Sequence, residues 1–156
     1  MPVFLSDIVF NFSNWMEIQL LETSSLEEMK NNFDLIQLMY PDLSLDAYEA
    51  MLHEMLPNQY FQLIAIQNNQ KIGLTGFWIN TKLWSGKYLE IDHFVIAPAF
   101  RSSGVGAQMV AYLEEKAKSE HCKMLTLDAY TNNFKAHKFF YNQGFIPKGF
   151  HFLKEI

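Results

Sequence analysis

The chain has 156 residues, 49% of them apolar and 19% charged, which fits one globular domain with a sizeable core and excludes a disordered chain. A net charge of −5 argues against a nucleic-acid binder, because no surplus of Lys and Arg exists to neutralise phosphates. Cys122 is the single cysteine, so an internal disulfide and a thiolate zinc cluster are both excluded, and no apolar run reaches the roughly 18 residues that a membrane span needs.

In chain order, residues 1–15 are apolar but carry Asp7 and lack a basic start, so they do not read as a signal peptide. An edge strand, a contact with a partner chain and a loosely ordered segment all fit them. Residues 1–16 are therefore set apart as an N-terminal extension, and 17–156 as a single domain with the cytoplasm as default compartment. Glu17 to Leu21 alternates polar and apolar as a strand does. Ser25 and Glu28 have capping-box spacing, and Leu26, Met29, Phe33, Ile36 and Met39 follow with helical period up to Pro41. Ser44 caps a second helix with Leu45, Tyr48, Leu52 and Met55 on one face. Tyr60 to Gln67 and Lys71 to Asn80 read as a hairpin about Asn68 and Asn69, since Asn tolerates positive φ. Tyr88 to Ile96 is a long strand, Ser103 to Ser119 a helix, and Lys123 to Ala129 a strand. A short helix capped by Asn132 or Asn133 follows, and Phe145 to Ile156 is expected to supply one or two final strands. The order is α+β: a mixed sheet with helices on both faces.

The chemistry concentrates where the long strand meets the following helix. Arg101, Ser102, Ser103, Gly104, Val105 and Gly106 open that helix. A helix N-terminus offers unpaired N–H groups and a positive dipole end, a ready site for an anion. Glycines let the backbone approach phosphate oxygens, and Arg101 adds a charged donor at the rim. A Walker loop would need Lys after the glycines, where Ala107 and Gln108 stand, and a dinucleotide fingerprint would need glycine in place of Met109. By itself the string leaves a phosphate loop and a packed helix start as equal readings.

A second string breaks the tie. R-x-x-G-x-G following the V-I-A-P strand end, together with Asn133, Ala136, Phe139, Gly144 and Phe145 downstream, resembles the two signature regions of the GNAT N-acetyltransferases, and the element order matches that family over residues 17–156. The resemblance implies a GNAT-like acyl-CoA N-acyltransferase fold, whose central strands Tyr88 to Ile96 and Lys123 to Ala129 splay apart. It implies acetyl-CoA as co-substrate, with Phe94, Val95 and Ile96 pairing with the pantetheine arm. Arg101, Ser102, Ser103, Gly104, Val105 and Gly106 would hold the pyrophosphate, and Asn133 would bond the arm. The implied function is direct transfer of an acetyl group to a primary amine of a small molecule or peptide. A non-catalytic acyl-CoA-sensing module is the alternative. Neither a metal, nor nucleic acid, nor a membrane enters this reading, and the 15% aromatic content leaves room for a homodimer interface.

Amide formation from a thioester needs a neutral amine, so a base helps, and a departing thiolate is helped by an acid. Period-2 alternation puts Glu90, Asp92 and Phe94 on one face of the long strand and Ile91, His93 and Val95 on the other. In the family an acidic residue on this strand often activates the amine, which makes Asp92 and Glu90 the candidates, Asp92 the preferred one. His93 falls with the apolar face and reads as a satisfied core histidine; His53, His121, His137 and His151 have no metal-ligand spacing. Many relatives carry Tyr where this chain has Phe140, so either Tyr141 or Tyr130 is the acid, or the thiolate leaves without a protein acid. Trp78, Trp84, Tyr40 and Tyr48 are candidate walls of an acceptor pocket.

Overall fold

The computed structural model describes residues 17–156, and the expectations for residues 1–16 lie outside them. Five strands form one sheet in the order β1 (Gln19–Thr23), β2 (Tyr60–Gln67), β3 (Gln70–Lys82), β4 (Gly86–Ile96), β5 (Met124–Leu127). The first four pair antiparallel and β5 joins β4 in parallel, as the expected mixed sheet requires. The β2–β3 turn holds Asn68 and Asn69 at φ 50° and 60°, the left-handed conformation that selects Asn.

The sheet separates two apolar layers. Helix α4 (Val105–Ser119) crosses from β4 to β5 on one face and buries Val105, Met109, Leu113 and Ala117 against Leu63, Phe77, Leu89 and Ile91. Each fully buried Leu or Met is worth about 1.5–3 kcal/mol over leaving it in water. The other face carries α1 (Leu26–Lys30), α2 (Phe33–Gln37) and α3 (Leu45–Met55), which bury Met29, Ile36, Tyr48 and Leu52 on Tyr60, Ile64, Leu74 and Val95. The short α5 (Phe134–Asn142) follows β5.

Two expectations fail. The single helix over Leu26 to Met39 is broken at Asn31 and Asn32 into α1 and α2. Asparagine offers the backbone competing hydrogen bonds, and the Asn32 side chain turns into the core, where its amide donates to Gln62 Oε1 at 3.2 Å. Residues 145–156 contain no strand. The apolar alternation is there, but a strand needs a ladder partner; Phe150, Phe152 and Leu153 are exposed, and the tail touches β5's end through His151 Nδ1, 2.6 Å from Asp128 Oδ2. The capping box is half formed: Ser25 Oγ accepts from the Glu28 N–H at 3.4 Å, while the Glu28 carboxylate accepts from the Thr23 hydroxyl. No helix among the described residues is long and apolar enough to cross a membrane.

Candidate active site

Strand β4 has two neighbours over only part of its length. Its ladder with β5 runs from Tyr88↔Met124 to Ile91↔Leu127 and stops. From Asp92 to Ile96 only β3 pairs with it, so the β5-side backbone edge of Phe94, Val95 and Ile96 has no strand partner. The splay expected of these two strands is present.

Beyond that edge the chain makes a 3₁₀ turn over Pro98–Phe100 and enters α4. Ser102 (φ 61°) and Gly104 (φ 89°) are left-handed, and Gly104 is the helix N-cap. The first backbone bond into α4 runs from the Gln108 N–H to the Gly104 carbonyl at 3.2 Å, so the N–H groups of Val105, Gly106 and Ala107 precede the ladder. Arg101 to Gly104 are exposed, while the Val105 side chain is in the core. Arg101 Nε donates to the Ile96 carbonyl at 3.2 Å, and Ser103 Oγ donates to the Phe100 carbonyl at 2.5 Å. These bonds set the loop without consuming its amides. The fit to a pyrophosphate is good: a left-handed cap over open space, with backbone donors ahead of a 15-residue helix.

The two glycines differ in kind. A Cβ on Gly104 would meet nothing within 4 Å, so its need is conformational. A Cβ on Gly106 would lie 3.0 Å from Phe139 Cζ and 3.5 Å from Phe94 Cε1, so that glycine admits close packing of α5. The two sequence strings thus touch one another. Asn133 caps α5, its Oδ1 accepting from the Ala136 N–H at 3.2 Å. Only its amide NH₂ is then suited to donate to a ligand. Gly144 (φ 86°) closes the helix, and Phe145 packs edge-on against Phe140.

The strand does not alternate through the site as expected. Thr75 pairs Phe94 and Phe77 pairs Ile91, so Asp92 and His93 together oppose the single residue Gly76. This β-bulge turns two successive side chains to one face. Asp92 and His93 therefore both face the α1–α3 side, with His93 Nδ1 3.7 Å from Asp92 Oδ2. Phe94 moves to the α4 side, where it packs on Phe139 and Phe140. Thr75 Oγ1 fastens the bulge by donating to the His93 carbonyl at 2.8 Å. A strand-interior glycine is a bulge signal, and Gly76 was the clue in the sequence.

Asp92 sits at the mouth of this region with its side chain 40% exposed. The His93 imidazole beside it, and the Trp78 indole N–H donating at 3.2 Å, hold its carboxyl below the usual aspartate range against the opposing effect of burial. Tyr40, after α2, lies in electrostatic reach of Asp92 and of Tyr130; burial first, and these two groups next, push its hydroxyl up. Glu90 is less available, because Lys82 Nζ lies 3.6 Å from its Oε2. Of the expected walls, Trp78 bonds Asp92 and Tyr40 lies within its electrostatic reach. Trp84 projects from the β3–β4 turn, and Tyr48 is buried under α3. Phe140 faces Phe94, whereas Tyr141 is 55% exposed one helical step away, and no hydrogen bond among the described residues uses its hydroxyl. No group of three or more His, Cys, Asp or Glu side chains among the described residues could hold a metal ion.

Known proteins resemble this chain in sequence and in fold. The sequence profile of the Acetyltransferase (GNAT) family matches residues 24–145. The aminoalkylphosphonate N-acetyltransferase of Salmonella typhimurium strain LT2 is 26% identical over 112 residues, 71% of each chain. The crystal structure of the aminoglycoside N-acetyltransferase AAC(6′)-Iy, in complex with CoA, superposes with a TM-score of 0.77 at 19% identity, covering 90% of this chain and 95% of that one. A ribosomal-protein-alanine N-acetyltransferase from Brucella melitensis biovar Abortus 2308 gives a TM-score of 0.74 at 16% identity, covering 90% of this chain and all of the other. A parted β4–β5 pair, an amide-lined helix start and a family match spanning both strings identify this chain as a member of the GNAT acetyltransferase family.

Proposed function

We propose that this acetyltransferase takes its acetyl group from acetyl-CoA and passes it directly to a primary amine of a small molecule or peptide, with Asp92 as the group that receives the amine. The observation that carries the reading is the end of the β4–β5 ladder at Ile91↔Leu127, which opens the backbone of Phe94, Val95 and Ile96 beside both the α4 N-terminus and Asp92. The relative that binds CoA and those that acylate an aminoalkylphosphonate, an aminoglycoside or a ribosomal protein support the co-substrate, and their spread of acceptors leaves the amine to be found by assay.

Each residue then has a task. The N–H groups of Ser102 to Gly106 hold the pyrophosphate, the edge of Phe94 to Ile96 pairs with the pantetheine arm, and the Asn133 amide donates to it. Bound acetyl-CoA supplies an acyl thioester whose carbonyl carbon accepts the amine and whose C–S bond breaks. Asp92, kept ionised, draws the ammonium in and orients it; Glu90 adds negative charge, muted by Lys82. A carboxylate held below its ordinary range is a weak base toward a free ammonium, so the amine gives its first proton to water before it attacks. The Asp92 carboxylate is basic enough to take the nitrogen's second proton once the neutral amine has begun to bond to carbon. The departing thiolate takes a proton from Tyr130, Tyr141 or water.

The test is free-thiol release from acetyl-CoA across a panel holding an aminoalkylphosphonate, an aminoglycoside, a polyamine and a peptide with a free N-terminus. Amine-dependent release is expected for at least one. Tight CoA binding with no amine-dependent release would replace the reading with the acyl-CoA sensor, which Phe140 in place of a hydroxyl-bearing residue favours.

A further inference from the structure

A chain of buried polar groups runs from the Asp92 carboxylate through the core. His93 is 6% exposed, and its Nδ1 faces Asp92 Oδ2 at 3.7 Å while its Nε2 lies 3.1 Å from the Tyr60 hydroxyl. Gln62, fully buried, donates through Nε2 to Tyr60 at 3.3 Å and to Tyr48 at 2.6 Å, and the Tyr48 hydroxyl donates to the Met29 carbonyl at 3.4 Å. Both ends of the chain, a carbonyl and a carboxylate, can only accept. One arrangement of protons gives each end a donor. Gln62 spends its two N–H groups on the two tyrosines, Tyr48 gives its proton to Met29, Tyr60 gives its proton to His93 Nε2, and the remaining imidazole proton sits on Nδ1, aimed at Asp92. The reverse arrangement would point a nitrogen lone pair at the carboxylate. Burial holds both phenols in their proton-bearing form, Tyr48 raised to about 12 and Tyr60 well above its ordinary value.

The fold makes room for this chain. A Cβ on Gly76 would lie 2.4 Å from the Tyr60 hydroxyl and 2.5 Å from His93 Cε1. The bulge opposite Gly76 is also what brings His93 to the face of Asp92.

We infer that His93 is a positioning residue for Asp92: the Tyr60–Gln62–Tyr48 chain holds its imidazole as the Nδ1–H tautomer, which fixes the carboxylate that receives the acceptor amine. The inference rests on Asp92 having that role. At 3.7 Å the contact is longer than a hydrogen bond, and it acts as an oriented dipole that closes to a bond when the amine is drawn in, as sites often do on binding. His93 does not relay the proton, because Nδ1 already carries one and Nε2 is taken by Tyr60.

Two measurements test it. In the full chain uniformly labelled with ¹⁵N-histidine, the His93 resonances, assigned by their loss in His93→Asn, are expected to report the Nδ1–H tautomer, and Tyr60→Phe is expected to release it; the Nε2–H tautomer in the unmodified chain overturns the inference. With the best amine of the panel, His93→Leu is expected to raise KM for the amine about tenfold, leaving KM for acetyl-CoA within about twofold, and His93→Asn, which keeps a donor at the Nδ1 position, is expected to recover most of the loss. Equal loss in both variants, or a loss that falls on acetyl-CoA, overturns it. The tautomer is read without substrate, so it stands or falls separately from the transfer reaction, whose own failure would appear as an unmodified chain that releases no thiol with any amine.

Discussion

Gly76 and Asp92 carry the heaviest consequences among single residues. Replacing Gly76 with Ala would press a methyl onto two rigid, buried rings, and overpacking of this kind costs about 1–3 kcal/mol. A lowered melting temperature with the tautomer of His93 disturbed is the expected result; an unchanged melt would remove the steric argument. Asp92→Asn is expected to lower kcat/KM for the amine by about 10²-fold or more while CoA affinity holds, by the usual scale for a group that moves a proton. The pH dependence follows from the lowered Asp92 pKa. A group lowered in the folded state contributes stability that is present above its unfolded pKa, near 3.9, and is lost as pH falls through the folded value. Asp92→Asn should therefore flatten the loss of stability below about pH 4. The same shift places the acid limb of Asp92 below the working range, so any rise in kcat/KM between about pH 6 and 9 must follow the acceptor amine, and should move when an amine of lower pKa is used. A limb that stays fixed across amines would assign it to the protein instead. At this scale the sequence was legible in type but not in direction. Asp92 and Glu90 stood out as carboxylates on the right strand, yet simple alternation put His93 on the wrong face and Phe94 with the acids, because a bulge shifts the period by one residue.

Among elements, the junction from β4 into α4 holds the co-substrate side of the account. Gly104 faces open space at φ 89°, so Gly104→Glu would strain the cap and lay a carboxylate over the N–H groups proposed to hold phosphate. Loss of measurable CoA binding by calorimetry is expected, with the fold intact by circular dichroism; undiminished affinity would refute the cradle. Gly106 answers differently, since its missing Cβ accommodates Phe139. Gly106→Ala should therefore lower stability by about 1–3 kcal/mol as well as affinity. The sequence located this junction and the α5 cap almost to the residue, because capping and glycine chemistry are local. It missed the break between α1 and α2, because the pull on Asn32 comes from Gln62, thirty residues away and invisible to periodicity.

For the whole molecule, the sheet order and the two apolar layers were legible because each strand repeats an apolar face and each helix a stripe. The C-terminal stretch was not. Its alternation promised strands, but pairing is a property of a partner, and residues 145–156 hold none along β5. What the fold does at this scale is set three things close together along β4 and its exit: a strand edge left unpaired by β5, a helix N-terminus, and the Asp92 carboxylate beside His93. The claim that acetyl-CoA meets an amine at the unpaired end of β4 is tested most directly by single-turnover thiol release with the preferred amine, comparing the unmodified chain with Asp92→Asn and Gly104→Glu. The account predicts amine-dependent release by the unmodified chain, release slowed at saturating CoA in Asp92→Asn, and none in Gly104→Glu for want of bound CoA. Equal release by all three would contradict it.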